Sequence, residues 1–418
     1  MPVTVVVGAQ FGDEGKGRIT DFLASNARYV IRTGGGPNAG HTIQIGSEKV
    51  VLHQVSCGCL RAGVTSVAGP GMNIDPFALE EEITELDRRN LLKGEILVSD
   101  RAHVILPIHR IEDAWEEEQR AKHGGSGPMG TTLRGIGPSY ADRYGRWGVR
   151  FVDLGSPVRL SERLEMLYAR KGHLGALPPM EELRGQLAEL GSRLSPRVTA
   201  TEPVLWEAIE RGEHLLLEGA QSALLDVDFG AYPYVTSSHP TAAGALMGSG
   251  IAPTELDEVV GVLKAYSTRV GEGPFPTEGT PEEQSFLRTE GQEHGATTGR
   301  PRRCGWLDLV LLRYATRLNG FTSLAVTKLD VLGGVEEVPV GMGYTSPEGA
   351  RVAFPPTAAE DLATLRPVLR RIPGWPEFTS RLKARIQAEG VHALPSAVRG
   401  FLDFIAEQAG VPVEWISY

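Results

Sequence analysis

The chain has few of the features that mark secreted, membrane-spanning or nucleic-acid-binding proteins. Only three of its 418 residues are cysteines, without a C-x-x-C pair, which argues against a disulfide framework or a zinc site. No apolar run reaches membrane-spanning length, and no basic segment leads into an apolar run at the N-terminus, so we expect no signal peptide. The formal net charge of −10 disfavours general affinity for nucleic acid or anionic membrane. We therefore expect a soluble protein of the reducing cytoplasm that binds neither.

Glycine, in contrast, is abundant: the 51 glycines cluster between periodic segments, a distribution typical of shaped loops. We find no internal repeat and no low-complexity linker. Strands are predicted at residues 4–7, 28–31, 50–55, 65–68, 95–98, 103–106, 215–218, 259–265, 323–327 and 411–416. Many of these runs are short, apolar and β-branched, which suits strands buried on both faces of a mostly parallel sheet.

Helical patterns alternate with these strands. We predict helices at residues 18–24, 77–92 and 306–318, the second with Asp75 as N-cap and Pro76 at its first position. The alternation predicts an α/β fold with a central, mostly parallel sheet flanked by helices, and with helical and small-sheet excursions. We expect one domain over residues 1–418, with a helical excursion at about 157–212 and a helical C-terminal region at about 356–410.

The most informative stretch is residues 8–17, GAQFGDEGKG, between the first predicted strand and helix. A glycine turn at a helix N-terminus offers backbone N–H groups to an anion, and Lys16 adds a positive charge. The spacing from Gly12 to Lys16 is too short for a Walker-type loop, and Gly17 replaces its Ser or Thr. Asp13 would repel bare phosphate, so it indicates a divalent cation or a substrate proton to be removed. From these residues alone, a glycine-rich turn with a surface lysine stays open.

A second glycine cluster, residues 34–42 (GGGPNAGHT), follows the second predicted strand and should lie at the same sheet edge. There His41 could donate to a phosphate or a leaving oxygen, or be incidental to a turn. At the end of another strand, residues 327–330 (TKLD) resemble the Asn-Lys-x-Asp element of GTPases. In that element the aspartate accepts from guanine N1–H and the 2-amino group, and the lysine packs along the base.

Three more clusters suit anionic groups or a base edge. Residues 130–138 with the arginines that follow, and the three arginines within 300–303, suit anions because guanidinium forks bind carboxylates and phosphates. Gln221 offers a donor and an acceptor to a base. The structural alternatives are a solvated basic turn, a charged surface loop and a buried amide.

Taken in order, these clusters resemble the adenylosuccinate synthetase family, and the resemblance runs from residue 3 to about residue 416. It is carried by GAQFGDEGKG (8–17), NAGHT (38–42), TTLRGIGPSY (131–140), EGAQ (218–221), LDVDFGAYPYVTSS (225–238), KAYSTRVGEGPFPTE (264–278), TTGRPRRCGWLDLV (297–310) and TKLDVL (327–332). The resemblance implies a core like that of the P-loop GTPases.

The resemblance also implies an activity: IMP is joined to L-aspartate with GTP and Mg²⁺, giving adenylosuccinate, GDP and phosphate. Asp13 would remove the N1 proton of IMP, so that the 6-oxygen attacks the γ-phosphate of GTP. His41 would hydrogen-bond the transferring phosphate and act as the acid, and the amine of aspartate would then displace phosphate from 6-phosphoryl-IMP. A homodimer is implied, in which Arg146 reaches the neighbouring subunit's IMP phosphate.

The remaining site residues follow by position in the motifs. IMP would contact Asp13, Glu14, Gly15, Lys16, Asn38, Ala39, Gly40, His41, Thr132, Arg146, Gln221, Thr236 and Arg300. L-Aspartate would contact Ala296, Thr297, Thr298, Gly299, Arg300 and Arg302. GTP would contact Gly12, Asp13, Glu14, Gly15, Lys16, Gly17, Arg18, Gly40, His41, Thr42, Arg302, Lys328, Leu329 and Asp330. Mg²⁺ would be held by Asp13 and the backbone carbonyl of Gly40.

The chain departs from the family pattern at positions that bear on substrate choice, and its C-terminal segment is shorter, which we expect to affect guanine binding. The departures nearest the IMP motifs are Thr33, Gly34, Ser222, Ala231 and His239. They leave two alternatives open. One is a related ligase acting on a guanine nucleotide such as dGMP, against which Asp13 argues because phage-type relatives carry a smaller residue there. The other is a non-catalytic nucleotide-binding paralogue, against which the joint presence of Asp13 and His41 argues.

Overall fold

A computed structural model of the chain describes residues 3–46, 48–123, 129–295 and 299–418. Its strands are Val3–Gly8 (β1), Tyr29–Arg32 (β2), His41–Ile45 (β3), Glu48–Leu52 (β4), Thr65–Ala68 (β5), Asn73–Ile74 (β6), Glu95–Ser99 (β7), His103–Val104 (β8), Val198–Thr199 (β9), Leu215–Glu218 (β10), Leu256–Lys264 (β11), Tyr266–Arg269 (β12), Arg303–Asp308 (β13), Ser323–Thr327 (β14), Glu337–Thr345 (β15), Arg351–Val352 (β16), Arg366–Pro373 (β17) and Val413–Ile416 (β18). Its α-helices are Lys16–Leu23 (α1), Pro76–Arg88 (α2), Pro107–His123 (α3), Ile136–Gly145 (α4), Phe151–Leu154 (α5), Pro157–Lys171 (α6), Met180–Leu194 (α7), Thr201–Glu210 (α8), Ala242–Ser249 (α9), Pro281–Gly291 (α10), Leu309–Asn319 (α11), Ala359–Thr364 (α12), Ser380–Glu389 (α13) and Ser396–Ala409 (α14).

The central sheet confirms the predicted α/β class. Within the described part of the chain it has nine strands in the order β18-β14-β11-β1-β10-β2-β5-β7-β9, all paired in parallel. Successive residues of β1 enter different cores: Val5 and Val7 join one hydrophobic cluster and Val6 joins the other. The strands read as continuous apolar runs because helices cover both faces of the sheet. A mixed sheet of β12, β13, β15, β16 and β17 lies beside it.

Several predicted elements lie elsewhere than expected. The predicted strand at 50–55 is observed as β4, which pairs antiparallel with β3 in a separate hairpin, and the one at 103–106 is reduced to β8, paired with β6. The helix predicted from residue 306 begins at Leu309, because residues 306–308 belong to β13 and Asp308 caps the helix through its side chain. Apolar residues before a helix cap carry no signal that distinguishes the last strand residues from the first helical turn.

The region expected to be helical at 356–410 contains the strand β17, which pairs antiparallel with β15. Its exposed, arginine-rich face has no helical or strand period strong enough to be read from the sequence. The predicted N-cap of α2 is confirmed, since the carboxylate of Asp75 accepts hydrogen bonds from the backbone N–H groups of Phe77 and Ala78. Helices α6, α7 and α8 occupy most of the predicted excursion at 157–212, with the break at Pro178 and Pro179. Among the described residues, no helix combines the length and apolarity that crossing a membrane requires.

Candidate active site

The loop after β1 is organised around its own glutamate. Glu14 is fully buried, and its Oε1 accepts hydrogen bonds from the backbone N–H groups of Gln10 (3.1 Å) and Gly12 (2.9 Å). Lys16 Nζ donates to Glu14 Oε2 at 2.7 Å, and Ser222 Oγ donates to Oε1. Burial alone would raise the pKa of Glu14, but the Lys16 charge and these hydrogen bonds lower it. A carboxylate directed inward like this fixes the loop, so any substrate contact by Glu14 would come from its backbone.

The loop leaves room for nothing larger than glycine where β1 ends. A Cβ atom built on Gly8 would lie 1.9 Å from Ser222 Oγ and 2.5 Å from Glu14 Oε2. Beyond that point Asp13 adopts a left-handed conformation with φ of 60°, which costs a non-glycine residue strain and is common where function requires it. Ser222 is one of the departures noted in the sequence, and its hydroxyl donates to the Glu14 carboxylate.

The Asp13 carboxylate pairs with the guanidinium of Arg302 and is also partly exposed to solvent. Its Oδ2 forms an ion pair with Arg302 Nε at 2.9 Å, and its side chain is 30 % exposed. Arg302 also contacts the fully buried Glu293, which in turn accepts from Lys264 Nζ at 2.7 Å and from the Tyr266 hydroxyl. The guanidinium of Arg302 thus lies between two carboxylates: the buried one of Glu293 and that of Asp13, the candidate base.

His41 begins β3 and is paired with Glu218, the last residue of β10. The imidazole Nδ1 contacts Glu218 Oε1, and both side chains are buried. Burial would raise the pKa of Glu218, but the neighbouring His41 and Arg32 lower it to about 2. Burial lowers the pKa of His41, and Arg32 and Lys16 lower it further, against the opposing effect of Glu218. At neutral pH the pair is therefore a carboxylate accepting from a neutral imidazole, and an incoming anion would raise the imidazole's proton affinity.

The His41 element is packed directly on the first loop. A Cβ atom on Gly17, the second residue of α1, would lie 3.0 Å from the Cβ of His41. On the other side of the loop, the Thr327 hydroxyl at the end of β14 donates to the backbone carbonyl of Glu14 at 2.6 Å. Three of the predicted motifs therefore meet at the carboxyl ends of the parallel strands, where open α/β sheets bind their ligands.

The TKLD segment continues that edge. Lys328 has φ of 62° and its Nζ donates to the backbone carbonyl of Gly291 at 2.9 Å. Asp330 Oδ2 pairs with Lys383 Nζ of α13 at 3.1 Å, while within the described residues Asp330 Oδ1 is buried without a hydrogen-bond partner. Leu329 is buried. Arg18, which is exposed, donates to the backbone carbonyl of Tyr418 at 3.0 Å.

A cleft beside Gln221 collects most of the departures from the family pattern. Thr33, Gly34 and His239 line it together with Gln221. A Cβ atom on Gly34 would meet nothing within 4 Å, and the structure describes no hydrogen-bond partner for the buried Gln221 Oε1. A larger side chain at residue 34 would narrow the cleft. Thr33, Gly34 and His239 therefore set the space beside the side-chain amide of Gln221, which is predicted to contact the substrate.

Most of the other predicted residues that the structure describes lie in loops, and several of them make their contacts through the backbone. Asn38 Oδ1 accepts from the backbone N–H of Gly36 at 3.2 Å, the Ala39 carbonyl accepts from His53 Nδ1 at 2.7 Å, and the Thr236 N–H donates to the Leu225 carbonyl at 2.9 Å. Arg300 Nη1 donates to the Gly130 carbonyl at 3.3 Å, in the loop that carries Thr132. Thr42 and Gly299 are exposed, and Gly15 and Gly40 line the loops already described. Ala296, Thr297 and Thr298 lie outside the described residues.

Arg146 is placed differently. It ends α4 in a left-handed conformation with φ of 67°, and its side chain is exposed. Across the described ranges, no hydrogen bond or ion pair of its guanidinium is found. The structure brings together the β1 loop, His41, Arg302 and the TKLD segment, but it does not bring Arg146 into contact with any of them.

The sequence analysis missed the side chains that hold the candidate active-site residues His41 and Arg302 in place. Glu218 orients His41, while Glu293 and Lys264 support Arg302. A signal for Glu218 existed, because a charged residue at the end of the apolar run LLLE lies at the carboxyl end of a buried strand. Glu293 carried no such signal, since it follows α10 in an irregular segment.

The comparisons with known proteins agree with this arrangement. A sequence model described as adenylosuccinate synthetase matches residues 5–418. Adenylosuccinate synthetases of Nostoc sp. and Thermomicrobium roseum are each 44% identical to the chain over its whole length, which covers 92% and 96% of those proteins. The fully ligated adenylosuccinate synthetase of Plasmodium falciparum superposes with a TM-score of 0.92 at 35% identity, covering 100% of this chain and 97% of that one.

A more distant structure shares the fold alone. The succinoaminodeoxyadenylate synthetase of cyanophage S-2L, bound to dGMP and dATP, gives a TM-score of 0.57 at 23% identity over 79% of this chain and 85% of that one. The family model and the full-length relatives decide the assignment, because they extend through every motif of the site. The chain belongs to the adenylosuccinate synthetase family.

Proposed function

We propose that the protein ligates L-aspartate to IMP with GTP as the energy donor, through 6-phosphoryl-IMP. The observation that carries this is the meeting, at one sheet edge, of Asp13 with Arg302 and of His41 with Glu218. A binding-only protein has no physical need for a carboxylate base and a buried histidine–glutamate pair in facing loops. The family assignment supplies the substrates, and the residues supply their roles.

In the first step, the Asp13 carboxylate takes the N1 proton of IMP. The 6-oxygen, which gains negative charge, then attacks the γ-phosphorus of GTP. The bond between that phosphorus and the β–γ bridging oxygen breaks, and GDP leaves. His41 receives its proton from solvent once the anionic phosphates raise its proton affinity, and it donates to the transferring group. Glu218 keeps the imidazole oriented through Nδ1, so that Nε2 is the donor.

In the second step, the amine of L-aspartate attacks C6 and inorganic phosphate leaves. Arg302 is the cation best placed to meet a substrate carboxylate, because Glu293 anchors it from behind while, among the described residues, its Nε pairs with Asp13 alone. If L-aspartate binds before the first step, exchange of the Arg302 contact from Asp13 to the substrate carboxylate would free Asp13 to take the N1 proton of IMP. Arg300 and Gly299 would complete this subsite.

Mg²⁺ fits the donor set proposed for it. Asp13 is partly exposed and, within the ranges that the structure describes, pairs with Arg302 alone. A carboxylate with a backbone carbonyl oxygen, here that of Gly40, is the hard-oxygen set that Mg²⁺ prefers. When bound, the ion would neutralise charge on the phosphates during transfer.

We also propose a homodimer in which Arg146 serves the neighbouring subunit's IMP site. Its support is that an exposed arginine is held at the end of a helix in a strained conformation and, in the part of the chain that the structure describes, has no side-chain partner. A cytoplasmic location is supported by Cys57, Cys59 and Cys304, which are all buried and free.

The assay that tests this function incubates purified protein with Mg²⁺, GTP and L-aspartate, together with either IMP or dGMP. We expect adenylosuccinate and phosphate to form with IMP only. Turnover of dGMP without turnover of IMP would replace the proposal with the guanine-nucleotide ligase. Phosphate release that does not depend on aspartate would favour a protein that binds nucleotide without ligation.

A further inference from the structure

Helix α13 brings a lysine to the carboxylate that is proposed to read the donor base. Lys383 Nζ lies 3.1 Å from Asp330 Oδ2, with 39% of the lysine side chain and 25% of the aspartate side chain exposed. The other oxygen of Asp330, Oδ1, is buried and has no hydrogen-bond partner within the described residues. The two oxygens of this carboxylate are therefore not equivalent: one is occupied by an ammonium group, and one is free.

The position of Lys383 is fixed by packing around it. The Tyr418 hydroxyl donates to the Lys383 backbone carbonyl at 3.4 Å, and the Lys383 ammonium lies 5.9 Å from the centre of the Tyr418 ring. That ring packs on Phe378, with 5.6 Å between ring centres. Thr379 caps α13 through its side chain. The ammonium therefore reaches Asp330 from an anchored helix.

Guanine recognition needs both oxygens. Guanine presents two parallel donors, N1–H and the 2-amino group, and a carboxylate satisfies both only when each oxygen accepts one. A base without the 2-amino group, hypoxanthine, presents N1–H alone and needs a single acceptor. An ammonium on Oδ2 of Asp330 takes one of the two acceptor positions of that oxygen and draws charge from it. It therefore weakens the second hydrogen bond of guanine, whereas the single hydrogen bond of hypoxanthine can use Oδ1.

We infer that Lys383 is a specificity-determining residue of the donor-nucleotide site, which lowers the preference for a 2-amino purine by holding one oxygen of Asp330. The inference rests on the proposed function, since it requires Asp330 to face the base of GTP. Lys383 thereby makes the site tolerant of 6-oxopurine nucleoside triphosphates that lack the 2-amino group.

The test compares kcat/KM for GTP with that for ITP, with IMP and L-aspartate saturating. Lys383→Met removes the charge and keeps a long, unbranched side chain with good helix propensity. We expect the GTP/ITP ratio to rise about tenfold, the value of one hydrogen bond to a charged group. Lys383→Arg should keep the wild-type ratio. Arg385→Met is the matched control on the same helix, because Arg385 pairs with Glu389 and not with Asp330; its ratio should also be that of the wild type.

The dependence of the GTP/ITP ratio on ionic strength distinguishes the proposed role of Lys383 from a merely structural one. Raising the ionic strength screens a partly exposed ion pair, so the wild-type GTP/ITP ratio should rise with salt while that of Lys383→Met stays constant. A ratio in Lys383→Met equal to that of the wild type, or lower, would overturn the inference.

Asp330→Ala separates this outcome from failure of the proposed function. If Asp330 reads the base, this variant raises the KM for GTP and loses the GTP/ITP preference. A raised KM combined with no effect of Lys383→Met would leave the GTP site standing and reject the role of Lys383. An unchanged KM for GTP in Asp330→Ala would reject base reading by Asp330 and the role of Lys383 together.

Discussion

The β1 loop and the TKLD segment lie at the same sheet edge, yet they hold their charges in different ways. In and around the β1 loop, Glu14, Glu218 and Glu293 are completely buried, and each is paired with a cation or an imidazole. At the TKLD segment, the Asp330–Lys383 pair is partly exposed and has no further ion pair in the described part of the chain. Buried, multiply bonded charges cannot rearrange cheaply, whereas an exposed pair is weak and exchangeable.

The difference suggests a division of tasks. The phosphoryl-transfer end is pre-organised, since its donors and acceptors are already fixed before substrate arrives. The proposed base-reading end is adjustable, because the partly exposed Lys383 competes with the base for one oxygen of Asp330. Substitutions at the first region should therefore change rates by orders of magnitude, and those at the second should change selectivity by smaller factors.

The largest effect is expected for Asp13→Asn. This change keeps the shape and a polar contact with Arg302 but removes the base, so kcat should fall about 10³- to 10⁴-fold. The melting temperature should stay that of the wild type, because Asp13 is partly exposed and outside the core. Asp21→Asn is the matched control, since Asp21 lies on α1 and pairs with Arg61. Loss of folding, or retention of near-normal turnover, would contradict the assignment.

Glu218→Gln should have the next largest effect. The amide keeps a contact with His41 but removes the charge that raises the pKa of His41, so the protonated imidazole becomes less populated. We expect kcat to fall about 10²-fold and the basic limb of its pH profile to move to lower pH. A lowered kcat with an unmoved basic limb would mean that Glu218 only supports the loop.

Arg146→Leu tests a residue that neither region contacts. The KM for IMP should rise about tenfold, since a guanidinium–phosphate contact is lost. In a 1:1 mixture with Asp13→Asn, exchange of subunits makes half of the dimers hybrids, each with one intact site. Activity at limiting IMP should then recover to about a quarter of the wild-type value. Mixtures no more active than the separate variants would rule out a shared site.

The smallest effect concerns a buried carboxylate without an ion pair among the described residues. Burial raises the pKa of Asp308, the N-cap of α11, to about 6 from 3.8, whereas the pKa of Glu218 beside His41 is lowered. Because the folded pKa of Asp308 is the higher one, the free energy of unfolding is reduced as the pH rises through about 4 to 6. Asp308→Asn lacks this loss, so its stability relative to the wild type should increase by about 1.4 kcal/mol between pH 5 and pH 8.

Urea unfolding at pH 5 and at pH 8 measures this difference. Tyr344→Phe, which removes the hydroxyl that donates to Asp308 at 2.7 Å, serves as a companion variant. It should raise the pKa of Asp308 further and steepen the pH dependence. A stability difference that does not change with pH would show that Asp308 titrates at its ordinary pKa in the folded protein.

The sequence predicted the sheet and the positions of its loops well, because short β-branched runs and glycine clusters are local signals. The predictions failed where strands from distant parts of the chain determine the secondary structure. Residues 306–308 belong to a strand because they pair with β12 and β15, and β17 forms because it pairs with the edge of β15. The candidate catalytic residues were predicted by motif. The supporting roles of Glu218, which lies in the EGAQ motif, and of Glu293, which lies outside every motif, were missed.

The sequence by itself determined that an anion-binding loop with one carboxylate follows the first strand, and that further polar loops follow other strands of a parallel sheet. Only the tertiary structure decided which charges meet. The pairing of His41 with Glu218 joins residues 177 positions apart, and that of Asp13 with Arg302 joins residues even farther apart in the chain. Such contacts depend on the order of strands in the sheet and on burial, which set distance and proton affinity, and neither quantity is local to the chain.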